Sequence, residues 1–126
     1  MIFLRKSEIV ALHHQLIDAY GGSHGTLNDG ALESALVAAE NRHYYENAGL
    51  VECAATYGWH LTQAHAFVDG NKRVGAGAME VFLISNGFRI DASDGQLYEL
   101  IMNVADSTAT RQDVEAWLSS RLQPIT

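Results

Sequence analysis

Apolar residues recur at three- and four-residue steps along most of the chain, and this spacing predicts amphipathic α-helices. Ser7 is predicted to cap the first helix and Gly21-Gly22 to end it, while Asn28-Asp29 caps the second. A third helix is predicted to begin at about Leu50 and to end near residues 65 to 67. The positions predicted to face inward on these helices are Ile9, Leu12, Leu16 and Tyr20, then Leu32, Ala35, Leu36 and Ala39, and then Leu50, Ala54, Tyr57, Leu61 and Ala64.

The fourth apolar segment, Val74 to Ile84, is hydrophobic on almost all sides, which is typical of a buried central helix. This helix is predicted to begin around Asp69-Gly70, and Asn86-Gly87 ends it. Gly75 and Gly77 each weaken a helix by about 1 kcal/mol relative to alanine. We therefore expect these glycines to permit close approach of another helix.

Two further helices are predicted after the short segment Phe88 to Ile90, and strand signals are nearly absent. Thr110, followed three residues later by Asp113, can cap the last helix. The positions predicted to face inward are Leu97, Leu100, Ile101, Val104 and Ala105, and then Val114, Trp117, Leu118 and Leu122. The pattern predicts an all-α fold, a compact six-helix bundle around a central buried helix, as a single domain over residues 1 to 126.

Composition and charge narrow the class of protein. A formal net charge of −7 leaves no basic surface for wrapping nucleic acid, because phosphate contacts need clustered lysine and arginine. The run from Val74 to Ile84 is interrupted by Glu80 and falls short of the roughly 18 to 20 residues that span a bilayer. Residues Met1 to Leu4 are too few for the core of a secretion signal, and a lone Cys53 excludes an internal disulfide. A cytoplasmic protein with neither nucleic-acid nor membrane contacts is therefore expected.

Residues 65 to 73, H-A-F-V-D-G-N-K-R, place several polar groups directly before the most apolar segment, and we call them the motif segment. A helix start carries unpaired N–H groups and a partial positive charge, so the turn from Gly70 to Arg73 suits an anion. Gly70 lets the backbone approach that anion closely. Arg73 adds a planar guanidinium for phosphate oxygens, and Lys72 adds a second positive charge.

Two further groups of the motif segment fit phosphoryl chemistry. Asp69 beside two cations is a poor anion ligand, but a Mg²⁺ ion that bridges its carboxylate to a phosphate makes the set coherent. His65 lies at the end of the third helix, and an imidazole suits proton transfer from an incoming hydroxyl. The alternative interpretation is structural: Asp-Gly-Asn is an ordinary turn, the cations are solvated charges, and a lone histidine usually supports packing.

Other candidates for chemistry are weaker. The chain has no phosphate-binding G-x-x-x-x-G-K-[ST] loop, and it has neither an H-E-x-x-H motif nor clustered cysteine and histidine ligands for zinc. Cys53, beside two alanines, is predicted to be a small buried hydrophobic residue. Four scattered histidines are interpreted as surface or helix-packing residues: His13, His14, His24 and His43.

The motif segment resembles the signature of the Fic/Doc family, H-x-F-x-[DEN]-[GA]-N-[GK]-R, with every fixed position filled. The all-α pattern, the length and the Leu-Ile-Ser-Asn-Gly-Phe after the motif helix resemble the Doc branch along nearly the whole chain. The resemblance implies that His65 deprotonates a target hydroxyl, that Asp69 holds Mg²⁺ on the phosphates of ATP, and that Phe67 is a buried anchor. Phosphate binding is implied for four positions: Gly70, Asn71, Lys72 and Arg73.

Two positions distinguish the Doc branch from relatives that transfer AMP. Those relatives usually have glycine at the position of Lys72 and a second arginine at the position of Ala76, three residues after Arg73. The resemblance to Doc implies a protein kinase that transfers the ATP γ-phosphoryl group to a protein Ser/Thr hydroxyl and blocks translation, with elongation factor Tu as the target type. The alternatives are AMP transfer by the same residues and a non-catalytic module that binds an antitoxin or an anion.

The resemblance also implies an antitoxin protein that silences the toxin. The inhibitory pattern [ST]-x-x-x-E-[GN] is missing, because Leu36 stands four residues before Glu40-Asn41. Inhibition in trans is therefore expected. Two segments are candidates for the substrate flap, Ser23 to Gly30 and Arg42 to Gly49, and the sequence does not decide between them.

Overall fold

Six α-helices and one small antiparallel sheet form in the computed structural model, which describes residues 1–126. The helices are α1 (Lys6–Tyr20), α2 (Asp29–Glu46), α3 (Leu50–Gln63), α4 (Asn71–Ser85), α5 (Asp94–Ala105) and α6 (Arg111–Ser119). The predicted all-α fold class and the six predicted helices are confirmed. No helix combines the length and the apolar character that crossing a lipid bilayer requires.

Side-chain caps fix the starts of two helices where the sequence predicts them. At α2, Asn28 Oδ1 accepts a hydrogen bond of 3.0 Å from Ala31 N. At α6, Thr110 Oγ1 accepts from Asp113 N at 3.1 Å, and Asp113 Oδ2 accepts from Thr110 N at 2.8 Å. These bonds satisfy N–H groups that the helix itself leaves free, and one such cap contributes about 1 kcal/mol.

Two predictions for α1 are wrong. The helix begins at Lys6, with Arg5 rather than Ser7 as the capping residue, because Glu8 Oε1 accepts from Arg5 N at 2.9 Å and closes the first turn. Tyr20 is 66% exposed instead of facing the core. Its ring lies in the last turn of the helix, where a cation of the motif segment covers it.

The end of α3 and the C-terminal segment also differ from the prediction. The helix ends at Gln63, ahead of the predicted end, because His65 has a φ of 49°, a value that a right-handed helix cannot include. Leu122 belongs to strand β2 (Leu122–Pro124) rather than to α6, and this strand pairs with β1 (Phe88–Ile90). Strands of three residues are too short to show an alternating pattern in the sequence.

Helices α3 and α4 form the centre of the core and lie very close together. Five apolar residues of α4 are buried, as predicted for a central helix: Val74, Ala78, Met79, Phe82 and Leu83. A Cβ atom added to Gly75 would clash with Thr62 Oγ1 of α3, and one added to Gly58 would clash with the Met79 side chain. The prediction that glycine in α4 permits close helix approach is confirmed at Gly75. This packing fixes the start of α4, which carries the end of the motif segment.

Candidate functional site

The motif segment lines a cleft of about 420 Å³ formed with residues of α3 and α5. This volume falls within the range of about 300 to 1,000 Å³ that is typical of small-molecule sites. The lining residues are His65, Val68, Asp69, Gly70, Asn71, Lys72 and Arg73 from the motif segment, with Thr62, Tyr98 and Ala105. The fold therefore brings all six predicted site residues, from His65 to Arg73, around one cavity.

The start of α4 presents free N–H groups at this cleft. Gly70 caps the helix with a φ of 78° and a ψ of 16°, a left-handed conformation that glycine adopts without steric cost. The backbone N–H groups of Asn71, Lys72 and Arg73 donate to no acceptor of the protein, as is usual for the first turn of a helix. Together with the positive end of the helix dipole, they form a site suited to phosphate.

Asn71 stabilises the motif segment through its side chain. Its Oδ1 accepts from Phe67 N at 3.1 Å, and its Nδ2 donates to Phe67 O at 3.0 Å. Phe67 is only 2% exposed, so its predicted burial is confirmed. These two bonds fix the orientation of the Asn71 amide, and the backbone N–H of the residue faces no acceptor of the protein.

Asp69 is exposed at the cleft, and two N–H groups hold its carboxylate. Oδ1 accepts from Gly70 N at 2.9 Å, and Oδ2 accepts at 3.2 Å from Ser23 N, in the loop of residues 21–28 that we call the α1–α2 loop. Each carboxylate oxygen keeps a second lone pair for another partner. Magnesium binds through one or two carboxylates, with phosphate oxygens and waters as its other ligands. One exposed carboxylate beside a helix start suited to phosphate therefore fits this ion.

His65 is exposed and has an unusual backbone conformation. Its φ of 49° lies in the left-handed region, which few residues other than glycine adopt. Such conformations cost about 1 to 3 kcal/mol and are concentrated at functional sites. The turn follows directly on the end of α3 and makes His65 part of the cleft lining.

The two cations of the motif segment, Lys72 and Arg73, are exposed, and neither forms an ion pair within the protein. The Arg73 guanidinium lies over the Tyr20 ring, 5.0 Å from its centroid, which is a cation–π contact. Aromatic contact orients a guanidinium without neutralising it. Both positive charges are therefore left for an anionic ligand in the cleft.

The α1–α2 loop runs along the motif segment and borders the site. Thr26 forms an isolated antiparallel β-bridge with Phe67. Two N–H groups of the loop donate to Ala66 O, at 2.8 and 3.0 Å, and Val68 N donates to Gly25 O at 3.1 Å. These bonds fix the backbone of the motif segment on the side of the loop.

His13 supports the motif segment from α1. Its ring is 4% exposed and stacks on Phe67, with the centroids 3.9 Å apart and the planes 9° from parallel. Its Nε2 lies 2.8 Å from the backbone oxygen of Asp69, and because a carbonyl only accepts, Nε2 carries the proton. The interpretation of His13 as a packing residue is correct but misses its bond to the site. The only sequence signal is its four-residue spacing from the buried Ile9 and Ile17.

Thr62 and Tyr98 also line the cleft, although nothing in the sequence singles them out. Thr62 Oγ1, from α3, is buried without a hydrogen-bond partner in the protein, and Tyr98, from α5, is 53% exposed. Both residues reach the site only because α3 and α5 pack against α4.

Two other titratable residues, Cys53 and His60, lie away from this cleft. Cys53 is fully buried, and burial raises the pKa of its thiol, so its predicted role as a small hydrophobic residue is confirmed. His60 of α3 has a lowered pKa, first because of burial and then because of Arg111 and Arg42. Its imidazole is therefore kept neutral near neutral pH.

Comparison with known proteins agrees with this geometry. The model of the Fic/DOC family matches residues 3–83, which include the whole motif segment. The protein named Protein kinase doc, from Escherichia phage P1, is 33% identical over 91 residues, which cover 71% of this chain and 72% of that protein. The matched family model and this similarity together show that the chain belongs to the Fic/DOC family and, within it, to the Doc branch.

Proposed function

We propose that this protein is a Doc-type toxin of a toxin–antitoxin module, a kinase that transfers the γ-phosphoryl group of ATP to a Ser/Thr hydroxyl of a protein target. The observation that carries the proposal is the anion site at the start of α4. Lys72 stands there at the position where AMP-transferring relatives have glycine, and Ala76 stands at the position of their second arginine. A relative that is named a protein kinase supports it. We propose a target like elongation factor Tu, so that the modification blocks translation in the cytoplasm.

Phosphate binding is assigned to the start of α4. The three free N–H groups of its first turn would donate to phosphate oxygens, and Arg73 adds a planar pair of donors. The Lys72 ammonium adds charge and bulk at one phosphate position. A filled position of this kind favours a nucleotide orientation different from that in relatives with glycine there.

Asp69 would hold Mg²⁺ through a carboxylate whose position is already set by Gly70 and Ser23. When bound, the ion neutralises charge on the phosphate oxygens. His13 keeps the Asp69 backbone in place, since it binds the carbonyl of the same residue. Catalysis of phosphoryl transfer depends on positioning of this kind more than on covalent chemistry.

His65 is assigned as the general base. The hydroxyl oxygen of the target attacks the γ-phosphorus, and the bond between this phosphorus and the β,γ-bridging oxygen breaks, so that ADP leaves. The hydroxyl proton passes to His65. A positioned base of this type contributes about 10²- to 10⁴-fold to the rate.

The α1–α2 loop is the better candidate for the substrate flap. It includes most of the predicted segment Ser23 to Gly30 and pairs with the motif segment beside the cleft. The other segment, Arg42 to Gly49, precedes the start of α3, whereas His65 follows its end. The 14 residues of α3 separate the two by about 20 Å. A separate antitoxin protein is proposed as the inhibitor in trans, since the chain lacks the inhibitory pattern.

Two labelled nucleotides test the proposed reaction. The purified protein is incubated with Mg²⁺, a bacterial lysate and either γ-labelled or α-labelled ATP. A protein band labelled only from γ-labelled ATP is expected. A band labelled from α-labelled ATP would replace the kinase assignment with AMP transfer, and no labelled band with either nucleotide would favour a binding module.

Lys72→Gly tests the observation that carries the proposal. This change removes the charge and bulk at the start of α4 and restores the glycine of AMP-transferring relatives. We expect phosphoryl transfer to fall and AMP transfer to stay weak, because Ala76 supplies no second clamp for the outer phosphates. Intact-mass analysis of the modified target distinguishes the two adducts, and an unchanged phosphoryl rate would show that Lys72 is a solvated charge.

A further inference from the structure

Three metal-ligating side chains lie together on the surface of α1 and the α1–α2 loop. His14 Nε2 lies 3.2 Å from Asp18 Oδ2, one helical turn away, and His24 Nε2 lies 3.0 Å from Asp18 Oδ1. The two imidazole rings have centroids 4.5 Å apart. One ligand atom from each residue can be chosen so that all three lie within 4.8 Å of one another.

We propose that His14, Asp18 and His24 form a binding site for a divalent transition-metal ion of the zinc class. Zinc binds imidazole nitrogen and carboxylate oxygen at about 2.0 to 2.2 Å, so neighbouring ligand atoms in a tetrahedron are roughly 3.3 Å apart. Each imidazole Nε2 already lies at nearly this distance from one oxygen of the Asp18 carboxylate, His14 from Oδ2 and His24 from Oδ1. The three side chains are 46% to 67% exposed, which leaves the fourth position open to water.

The site is separate from Asp69 in both residues and ligand chemistry. Two nitrogen donors and one carboxylate favour zinc over magnesium, since magnesium prefers oxygen ligands. At the candidate nucleotide site the only predicted metal ligand is the Asp69 carboxylate, with phosphate oxygens to complete the set. The two sites therefore differ in the metal that they select.

A metal ion here would fasten the α1–α2 loop to α1. The chain turns back after α1 at Gly21 and Gly22, which have φ values of 88° and 115°, and this turn brings His24 over Asp18. Ser23, which directly precedes His24, donates its backbone N–H to the Asp69 carboxylate. Bound zinc is thus expected to restrain the loop that borders the cleft.

Zinc titration by calorimetry tests the proposal. The double variant His65→Asn and Asp69→Asn serves as the starting protein, so that zinc cannot bind in the cleft. This protein is expected to bind one zinc equivalent. Adding His14→Ala, His24→Ala or Asp18→Asn to it is expected to weaken zinc binding by at least about tenfold, the loss that even an outer-shell partner causes.

A matched control is Asp91→Asn, which removes an equally exposed carboxylate outside the cluster and is expected to leave zinc affinity unchanged. Zinc should also slow cleavage of residues 21–28 by a non-specific protease, in the starting protein but not in its His24→Ala form. The proposal is overturned if the starting protein binds no zinc, or if the three cluster variants bind zinc as tightly as it does. Equal protection by zinc of the starting protein and its His24→Ala form would also overturn it.

Discussion

One histidine belongs to the motif segment and another packs against it, and their surroundings give them different tasks. His65 is exposed in the cleft and has a left-handed backbone. His13 is buried on the other side, where its ring is fixed by Phe67 and its Nε2 by the carbonyl of Asp69. One imidazole is therefore accessible to a substrate hydroxyl, and the other holds the backbone that carries the proposed metal ligand.

His65→Asn separates chemistry from backbone strain. Asparagine tolerates the left-handed conformation at least as well as histidine does but cannot act as the base, whereas alanine loses both properties. We expect His65→Asn to lower phosphoryl transfer by about 10²- to 10⁴-fold at an unchanged melting temperature. His65→Ala should be as inactive and also less stable. Retained activity in both variants would remove His65 from the mechanism.

His13→Ala and His13→Gln test positioning of Asp69. Alanine removes both the stacked ring and the donor to the Asp69 carbonyl, while glutamine restores a donor of similar reach. A ligand that binds only the folded state raises its stability, so the Mg²⁺-dependent part of the ATP-induced shift in melting temperature reports on Asp69. This part is expected to be lost in His13→Ala and partly restored in His13→Gln. A merely structural histidine would lower the melting temperature but leave the Mg²⁺-dependent shift intact.

The residues of the motif segment could be predicted because they are consecutive in the chain. His65 to Arg73 keep their order and spacing whatever the rest of the fold does. His13 and Asp69 are in contact although they lie 56 residues apart in the chain, and Tyr98 lines the cleft from α5. Such contacts depend on how helices pack, and no local pattern in the sequence records them.

At the scale of whole elements, local capping chemistry predicts helix starts well. Asn28 and Thr110 cap their helices as expected, because a side-chain oxygen meets an N–H two or three residues later. Ser7 does not cap α1, because the Glu8 carboxylate bonds to Arg5 N and the helix begins two residues earlier than predicted. The pairing of β1 with β2 was missed, since it joins segments separated by two helices.

The contact between α3 and α4 can be tested with two glycines of the same helix. A Cβ on Gly75 would clash with Thr62 Oγ1 and lie 3.1 Å from the backbone oxygen of Gly58, which cannot yield. On Gly77 it would lie 3.2 Å from the flexible Leu12 side chain. We expect Gly75→Ala to lower the free energy of unfolding by roughly 1 to 3 kcal/mol through overpacking.

Gly77→Ala is the matched control. It gains up to about 1 kcal/mol of helix propensity, so its net effect should be neutral or stabilising. Unfolding in urea measures both variants. Equal effects of the two substitutions would contradict the inference that α3 and α4 are packed through glycine, and with it the explanation of how the start of α4 is fixed.

At the scale of the whole molecule, one buried phenol forms a hydrogen bond between the core and the N-terminal segment. Tyr57 of α3 is fully buried, and its hydroxyl oxygen accepts from Leu4 N at 3.0 Å. Burial raises the pKa of Tyr57 to about 12, and the bond from Leu4 opposes this only in part. Ionisation of this phenol is therefore disfavoured in the folded protein.

This raised pKa predicts a fall in stability at alkaline pH. An unfolded tyrosine loses its proton near pH 10, whereas Tyr57 in the folded protein keeps it up to about pH 12. The folded state thus binds more protons between these values, and stability that is complete below pH 10 declines as the pH rises, by up to roughly 3 kcal/mol.

In Tyr57→Phe this part of the decline should disappear. The variant should be less stable than wild type by about 1 kcal/mol at pH 8, because Leu4 N loses its acceptor, and the difference should narrow or reverse by pH 11.5. Guanidinium unfolding at a series of pH values measures both curves, and parallel curves would show that Tyr57 ionises no differently in the folded and unfolded chains.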